Sequence, residues 1–246
     1  MKWGKGLLLG EETGRLRVID NEKKCEVVKW RNHEGRVGTI DVHHNKNLVI
    51  SGSKDKSLLL WDLRAREMVT RLEGHRQEIC GLKFSPDGNY IASGGNDNLV
   101  CLWNFRMQKL ENKLNEHSAA VKALAWSPHQ NSMLVTGGGS TDKTIKIWNI
   151  NENCCMKSID TGSQVCTIAY SKNTDEIIST HGFSLNSVNV WNAKNMKKVA
   201  TLQGHTYRVL YMAKSPEEDS IVTGSGDQTL RFWKIWSGID RRRQVS

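Results

Sequence analysis

Residues 74–103 read GHRQEICGLKFSPDGNYIASGGNDNLVCLW, and this stretch decides the fold. Three short runs, Cys80–Phe84, Tyr90–Ser93 and Val100–Trp103, carry the alternation and apolar content of strands. Between them lie Ser85-Pro-Asp-Gly88 and Gly94-Gly-Asn-Asp-Asn98. Both are turn sequences: Pro pre-sets φ, Asp and Asn bond back to their own backbone, and Gly tolerates positive φ. The glycines of the second turn are expected to supply its positive φ. A fourth run, Lys109–Leu114, follows. The stretch therefore describes four successive antiparallel strands, here named a, b, c and d.

Outward from this stretch the same pattern repeats. Trp61, Trp103, Trp148, Trp191 and Trp233 are spaced 42, 45, 43 and 42 residues apart, and Ile19 lies 42 before Trp61 in a similar context. His33, His75, His117 and His205 recur 28 to 31 residues before a periodic tryptophan. Each is followed four residues later by a β-branched residue: Val37, Ile79, Val121 and Val209. Asp55, Asp97, Asp142 and Asp227 each stand six before their tryptophan, and Ser51, Ser93, Thr136 and Thr223 precede them. A period of about 40–45 residues with a Trp-Asp-like dipeptide marks a four-stranded propeller blade. The sequence thus resembles an all-β WD-repeat β-propeller with six recognisable blades.

That resemblance implies that the periodic His, Ser/Thr, Asp and Trp residues form a buried hydrogen-bonded chain within each blade. Buried Asp and His are costly alone and tolerable when fully paired, so the histidines read as structural. The fifth unit breaks the phase: Thr161 stands at the His position and Leu185 at the Asp position, so this unit is expected to give up its network. His43-His44 is out of phase and is expected to face solvent.

Composition narrows the function. The 246 residues carry 35 basic and 26 acidic side chains, a formal charge of +9, but the cations are spread along the chain. The one tight run is Arg241-Arg-Arg243, read as part of a basic tail at 237–246 that follows a propeller domain at 1–236. Six cysteines (Cys25, Cys80, Cys101, Cys154, Cys155 and Cys166) include no Cys-x-x-Cys pair, which argues against a zinc knuckle. No apolar run approaches the ~20 residues of a membrane helix, and no signal peptide is read at the start. No nucleophile–base spacing or phosphate loop is present; Gly137-Gly-Gly139 is too short. The expectation is a protein that binds other proteins, without enzymatic activity, metal, cofactor, nucleic acid or membrane partner.

Several segments are more specific than a generic repeat: Gly94-Gly-Asn-Asp-Asn-Leu99, Gly137-Gly-Gly-Ser-Thr-Asp142, Ser163-Gln-Val-Cys166, His181-Gly-Phe-Ser-Leu-Asn-Ser-Val-Asn-Val-Trp191, Gly204-His-Thr-Tyr-Arg-Val-Leu210 and Gly226-Asp-Gln-Thr-Leu-Arg-Phe-Trp233. Together they resemble the Fizzy / Fizzy-related family, from about Leu7 to Trp233. The resemblance implies a co-activator that brings substrates to the anaphase-promoting complex, a ubiquitin ligase, in nucleus and cytoplasm. In that family the fifth unit also diverges. Against the family's seven blades, the sequence is expected to lack the first blade and both terminal docking elements.

A blade meander sends its d–a and b–c connections to one end and its a–b and c–d connections to the other. Asn96, Asn98 and Ser140 fall in b–c turns, and Gln164 and Arg208 in d–a connections. They form a polar set with one cation and no acid. The family resemblance implies that they hold a Lys-Glu-Asn degron, with Arg208 pairing with the degron glutamate. A destruction-box pocket is doubtful, because Gln228 stands where the family places an acid.

Overall fold

The computed structural model describes residues 6–43 and 47–236. The first strand expected at Met1-Lys-Trp3, the second member of the His43-His44 pair and the basic tail at 237–246 lie outside the described residues. Among the described residues the chain forms 22 strands and no helix. Two compact units divide it, Met1–Val121 and Lys122–Ser246.

The first unit contains three sheets. The strands β1 (Gly6–Gly10), β2 (Arg15–Asp20) and β3 (Cys25–Arg31) make a three-stranded meander. Four-stranded meanders follow: β4 (Val37–His43), β5 (Leu48–Ser53), β6 (Ser57–Asp62) and β7 (Glu67–Glu73), then β8 (Ile79–Phe84), β9 (Tyr90–Gly95), β10 (Val100–Asn104) and β11 (Lys109–Leu114). The last four match the strands read from the sequence to within two residues at either end.

The second unit repeats the design. The strand β12 (Val121–Trp126) begins at the boundary and pairs into a sheet with β13 (Met133–Gly138), β14 (Thr144–Asn149) and β15 (Cys154–Asp160). A second sheet joins β16 (Val165–Tyr170), β17 (Glu176–His181), β18 (Val188–Asn192) and β19 (Lys198–Leu202). A three-stranded sheet joins β20 (Val209–Lys214), β21 (Ser220–Ser225) and β22 (Leu230–Lys234). Six blade-like sheets are therefore present, as the tryptophan spacing requires.

A register shift marks each repeat. The c–d pairing slips by one residue between Leu60 and Trp61, Leu102 and Trp103, Ile147 and Trp148, and Val190 and Trp191. The same slip falls between Val18 and Ile19, so Ile19 is the structural counterpart of the tryptophans. Such bulges increase local twist.

Packing joins neighbouring sheets within each unit. In the first, Leu58 and Leu60 of β6 pack with Ile79, Leu82 and Phe84 of the next sheet, and Leu16 and Val18 pack with Val49 and Trp61. In the second, Ile145 and Ile147 pack with Val165, Ile168 and Ile177, while Val188 and Val190 pack with Val209 and Ile221. Strand c of one sheet thus packs against the inner strands of the next, and burying such aliphatics contributes about 1.5–3 kcal/mol each.

The turn glycines act differently from expectation. Gly94 and Gly95 belong to β9, and the positive φ of the following turn falls on Asn98 (65°), with Lys56, Lys143 and Gln228 at the same repeat position. Gly95 is needed for space. A Cβ there would stand 2.5 Å from an Asp97 carboxylate oxygen and 2.7 Å from His75 Nδ1. Removing the side chain is what lets the internal network close.

Candidate functional site

Three repeats hold the expected network within a single unit. In the second repeat His33 Nδ1 lies 2.9 Å from Asp55 Oδ2, His33 Nε2 lies 2.8 Å from Ser51 Oγ, and Trp61 Nε1–H donates to Ser51 at 2.9 Å. The third repeats this with His75, Asp97, Ser93 and Trp103 at 3.0, 2.8 and 2.8 Å. The last does so with His205, Asp227, Thr223 and Trp233 at 2.9, 2.8 and 2.8 Å. In the fourth repeat Trp148 Nε1–H donates to Thr136 at 2.8 Å, and Asp142 accepts from the Thr144 amide and hydroxyl; His117 is buried.

The electrostatics follow from burial and these bonds. Desolvation lowers the His33 pKa, outweighing the pull of Asp55. Burial alone would raise Asp55, but donors from Ser57, the Glu34 amide and His33 hold it at about 2. Burial pushes the Cys101 thiol up to about 12 and the Cys166 thiol up to about 11, so neither is a thiolate nucleophile near neutral pH.

The fifth repeat departs from expectation. Its sheet has a network, built from different residues: Trp191 Nε1–H donates to Ser179 Oγ at 2.7 Å, and Ser179 Oγ lies 2.7 Å from His181 Nε2. His181 is fully buried, and burial drives its pKa down to about 4. Thr161, at the usual His position, donates its hydroxyl to the Lys143 carbonyl at 2.7 Å and lies 2.9 Å from that of Ser163. Sequence phase hid His181 because it sits ten residues before its tryptophan rather than about thirty. The readable signal was Ser179-Thr-His181, which puts Ser and His on one face of a strand.

His43 also differs from expectation. It packs edge-on against Phe84, ring centroids 5.3 Å apart, and is only partly exposed.

The connections sort as the meander requires. In four sheets a backbone hydrogen bond links the b–c turn to the d–a connection of the same sheet: Lys54 to Arg36, Asn96 to Glu78, Gly182 to Gln164 and Gly226 to Arg208, at 2.8–3.0 Å. Arg36, Glu78, Gln164 and Arg208 therefore occupy one repeat position. In the first unit this position adds an acid that the sequence reading left out: Glu78 accepts from Arg36 at 2.6 Å. Beside it, Asn96 accepts a hydrogen bond from the Cys80 thiol at 3.1 Å, and Asn98 holds the positive-φ corner of the turn.

In the second unit Ser140 is exposed in the β13–β14 turn, and Gln228 is exposed at the corner of the β21–β22 turn. Gln164 and Arg208 come together around Gly182: a Cβ there would stand 3.1 Å from Gln164 Oε1 and 3.5 Å from Arg208 Cδ. The Arg208 guanidinium lies over Phe183, 5.1 Å from its centroid, and 5.9 Å from that of Tyr207. Those two rings meet edge to face at 4.6 Å. Arg208 Nε is buried without a hydrogen-bond partner, and the guanidinium makes no ion pair among the described residues. A cation oriented by two aromatic rings and without a carboxylate partner among the described residues suits an acidic ligand.

Residues 1–233 match the family model of the CDC20/Fizzy WD40 domain. The chain belongs to the Fizzy family. This Fizzy-family chain is 45% identical over 243 residues to Protein FIZZY-RELATED 3 of Arabidopsis thaliana, an alignment covering 98% of the chain and 50% of the relative. It is 41% identical to Anaphase-promoting complex subunit cdh1 of Dictyostelium discoideum, covering 95% of the chain and 35% of the relative. The chain thus spans about half or less of these Fizzy-type relatives. A chain in the crystal structure of a mitotic checkpoint complex superimposes with a TM-score of 0.90 at 36% identity, covering 94% of this chain and 72% of that one. The chain therefore has the all-β WD-repeat propeller fold.

Proposed function

We propose that this chain is the substrate-recruiting propeller of an anaphase-promoting complex co-activator, and that it binds Lys-Glu-Asn degrons through Arg208. The observation that carries this reading is the state of Arg208: held by Phe183 and Tyr207, beside Gln164, and without an acidic partner among the described residues. The degron glutamate pairs with its guanidinium, and Gln164 and Ser140 bond the peptide's amide and backbone groups. Asn96 and Asn98 are assigned to the same ligand class on their repeat position: Asn96 is the counterpart of Gly182 and Gly226 in the backbone ladder. Family membership, and a relative named as a subunit of the anaphase-promoting complex, support the ligase as partner. The chain itself does no chemistry in this reading, and it works in nucleus and cytoplasm.

Fluorescence anisotropy at fixed salt tests the site. A charged hydrogen bond contributes about 1.5–3 kcal/mol, so Arg208→Glu weakens a Lys-Glu-Asn peptide roughly tenfold to more than a hundredfold. A Lys-Arg-Asn peptide regains part of the affinity on that variant. A destruction-box peptide binds the unmodified chain weakly, since Gln228 offers no charge. Equal affinity of the unmodified chain and Arg208→Glu for the Lys-Glu-Asn peptide removes Arg208 from the site. Degron binding without co-purification of ligase subunits leaves a general WD-repeat scaffold instead.

A further inference from the structure

Beside Arg208, Phe183 (50% exposed) and Tyr207 (42%) stand on short, well-anchored loops, and Leu185 (42%) follows two residues after Phe183 in the same turn. Their loops are fixed. The Gly182 amide donates to the Gln164 carbonyl at 3.0 Å, the Asn186 amide donates to the Gly182 carbonyl at 2.9 Å, and the Asn186 side chain donates to the Thr206 carbonyl at 3.2 Å. The apolar groups are therefore held outward by the backbone. Leu185 lies over Gly162, where a Cβ would stand 3.9 Å from its Cδ1. Phe183 and Tyr207 pack against Arg208 and edge to face on each other, and about half of each side chain remains exposed.

We propose that Phe183, Leu185 and Tyr207 form an apolar subsite next to Arg208, and that it takes a bulky hydrophobic side chain one or two residues from the acidic residue of the bound peptide. The inference rests on the degron reading of Arg208 and adds a sequence preference to it. Two observations fix the chemistry of the occupant. The unpaired cation asks for an acid, and the apolar patch continuous with it asks for an adjacent hydrophobe. An extended peptide advances ~3.3 Å per residue. The 5.1 and 5.9 Å between the guanidinium and the two ring centroids are therefore spanned by one to two residues. Contact with a hydrophobe also shields the carboxylate–guanidinium pair from water, which strengthens it.

The test uses the full chain and peptides in which leucine or serine is placed one or two residues on either side of the glutamate of Lys-Glu-Asn. At one position leucine binds about fivefold more tightly than serine, the gain from burying part of its side chain. In Leu185→Ser that preference collapses while the Lys-Glu-Asn requirement persists, and thermal melting checks that the variant is folded. Leu185→Ala, which leaves the two rings that hold Arg208 in place, is the second variant should Leu185→Ser unfold. Equal binding of all leucine and serine peptides by the unmodified chain overturns the subsite and leaves the degron reading standing. A leucine preference that survives in both variants also overturns it. If the unmodified chain and Arg208→Glu bind none of the peptides, the degron reading fails and the subsite with it.

Discussion

The sheets β8–β11 and β16–β19 are built to one plan and differ at one end. In the first, His75 comes from the connection before strand a and joins Ser93 to Asp97, whose carboxylate also accepts the Arg76 amide at 2.7 Å and the Leu99 amide at 3.3 Å. The network thus sews the d–a connection to the b–c turn. In the second, His181 comes from strand b itself, two residues beyond Ser179, and no carboxylate takes part. The Trp–Ser–His chain is kept and the carboxylate clasp is absent, while the backbone bond from Gly182 to Gln164 still ties the turn to the d–a connection. What takes its place is a turn whose side chains face outward, Phe183 and Leu185, next to Arg208. With the histidine about twenty residues further along the chain, the turn no longer serves the network and its side chains are exposed.

The largest expected effect tests the clasp. His75→Ala leaves the Asp97 carboxylate, only 5% exposed, without its ring partner. Leaving a buried acceptor without its donor costs about 1–3 kcal/mol, and more when the acceptor is a carboxylate. Urea unfolding measures this as a lowered midpoint at unchanged slope. A loss below about 1 kcal/mol would show that water substitutes for the imidazole, and the contrast between the two sheets would lose its energetic basis.

The second effect is a pH dependence that belongs to β16–β19. His181 has a folded pKa of about 4 against an ordinary value of 6.5, because burial penalises its charge. The unfolded chain therefore binds more protons between these values. Stability is fully present above pH 6.5 and is lost as pH falls toward 4, by about 3 kcal/mol. Unfolding free energies at pH 7, 5.5 and 4 for the unmodified chain and His181→Gln measure the difference. The slope over this window shrinks in the variant, and an identical slope in both means that His181 does not stay neutral in the folded state.

Much of this was legible in the sequence, for a physical reason. A repeated blade needs the same buried bonds at the same places, so His, Ser/Thr, Asp and Trp recur in phase, and phase is visible without coordinates. The meander also fixes which connections share an end, so Gln164 and Arg208 fell in the correct connections. What phase cannot show is a bond made out of phase. His181 replaced a missing partner from inside strand β17, and the Arg36–Glu78 pair joins two sheets through residues 42 apart that look like ordinary loop charges. His43 looked solvent-facing because nothing in its local sequence announces Phe84, a neighbour from the following sheet. The glycines of the b–c turns were read for φ when two of them are needed for room. Composition alone does not separate these causes.

The smallest expected effect is the most discriminating. Leu185 and Asp97 hold the same repeat position, six residues before Trp191 and Trp103. Asp97 accepts bonds from the His75 ring and the Arg76 amide, so Asp97→Ser forfeits charge-assisted bonds contributing about 1.5–3 kcal/mol. Leu185 is 42% exposed, and its contact with Gly162 is an ordinary van der Waals approach. Leu185→Ser is therefore expected to change stability by no more than about 0.5 kcal/mol. Differential scanning of the two variants under one buffer makes the comparison. If Leu185→Ser proved as costly as Asp97→Ser, the exposed leucine would be part of the folding core of its sheet, and its exposure in the turn that carries Phe183 would need no ligand to explain it. A near-silent Leu185→Ser that nevertheless alters peptide preference would separate binding from stability at this position, which in β8–β11 serves stability alone.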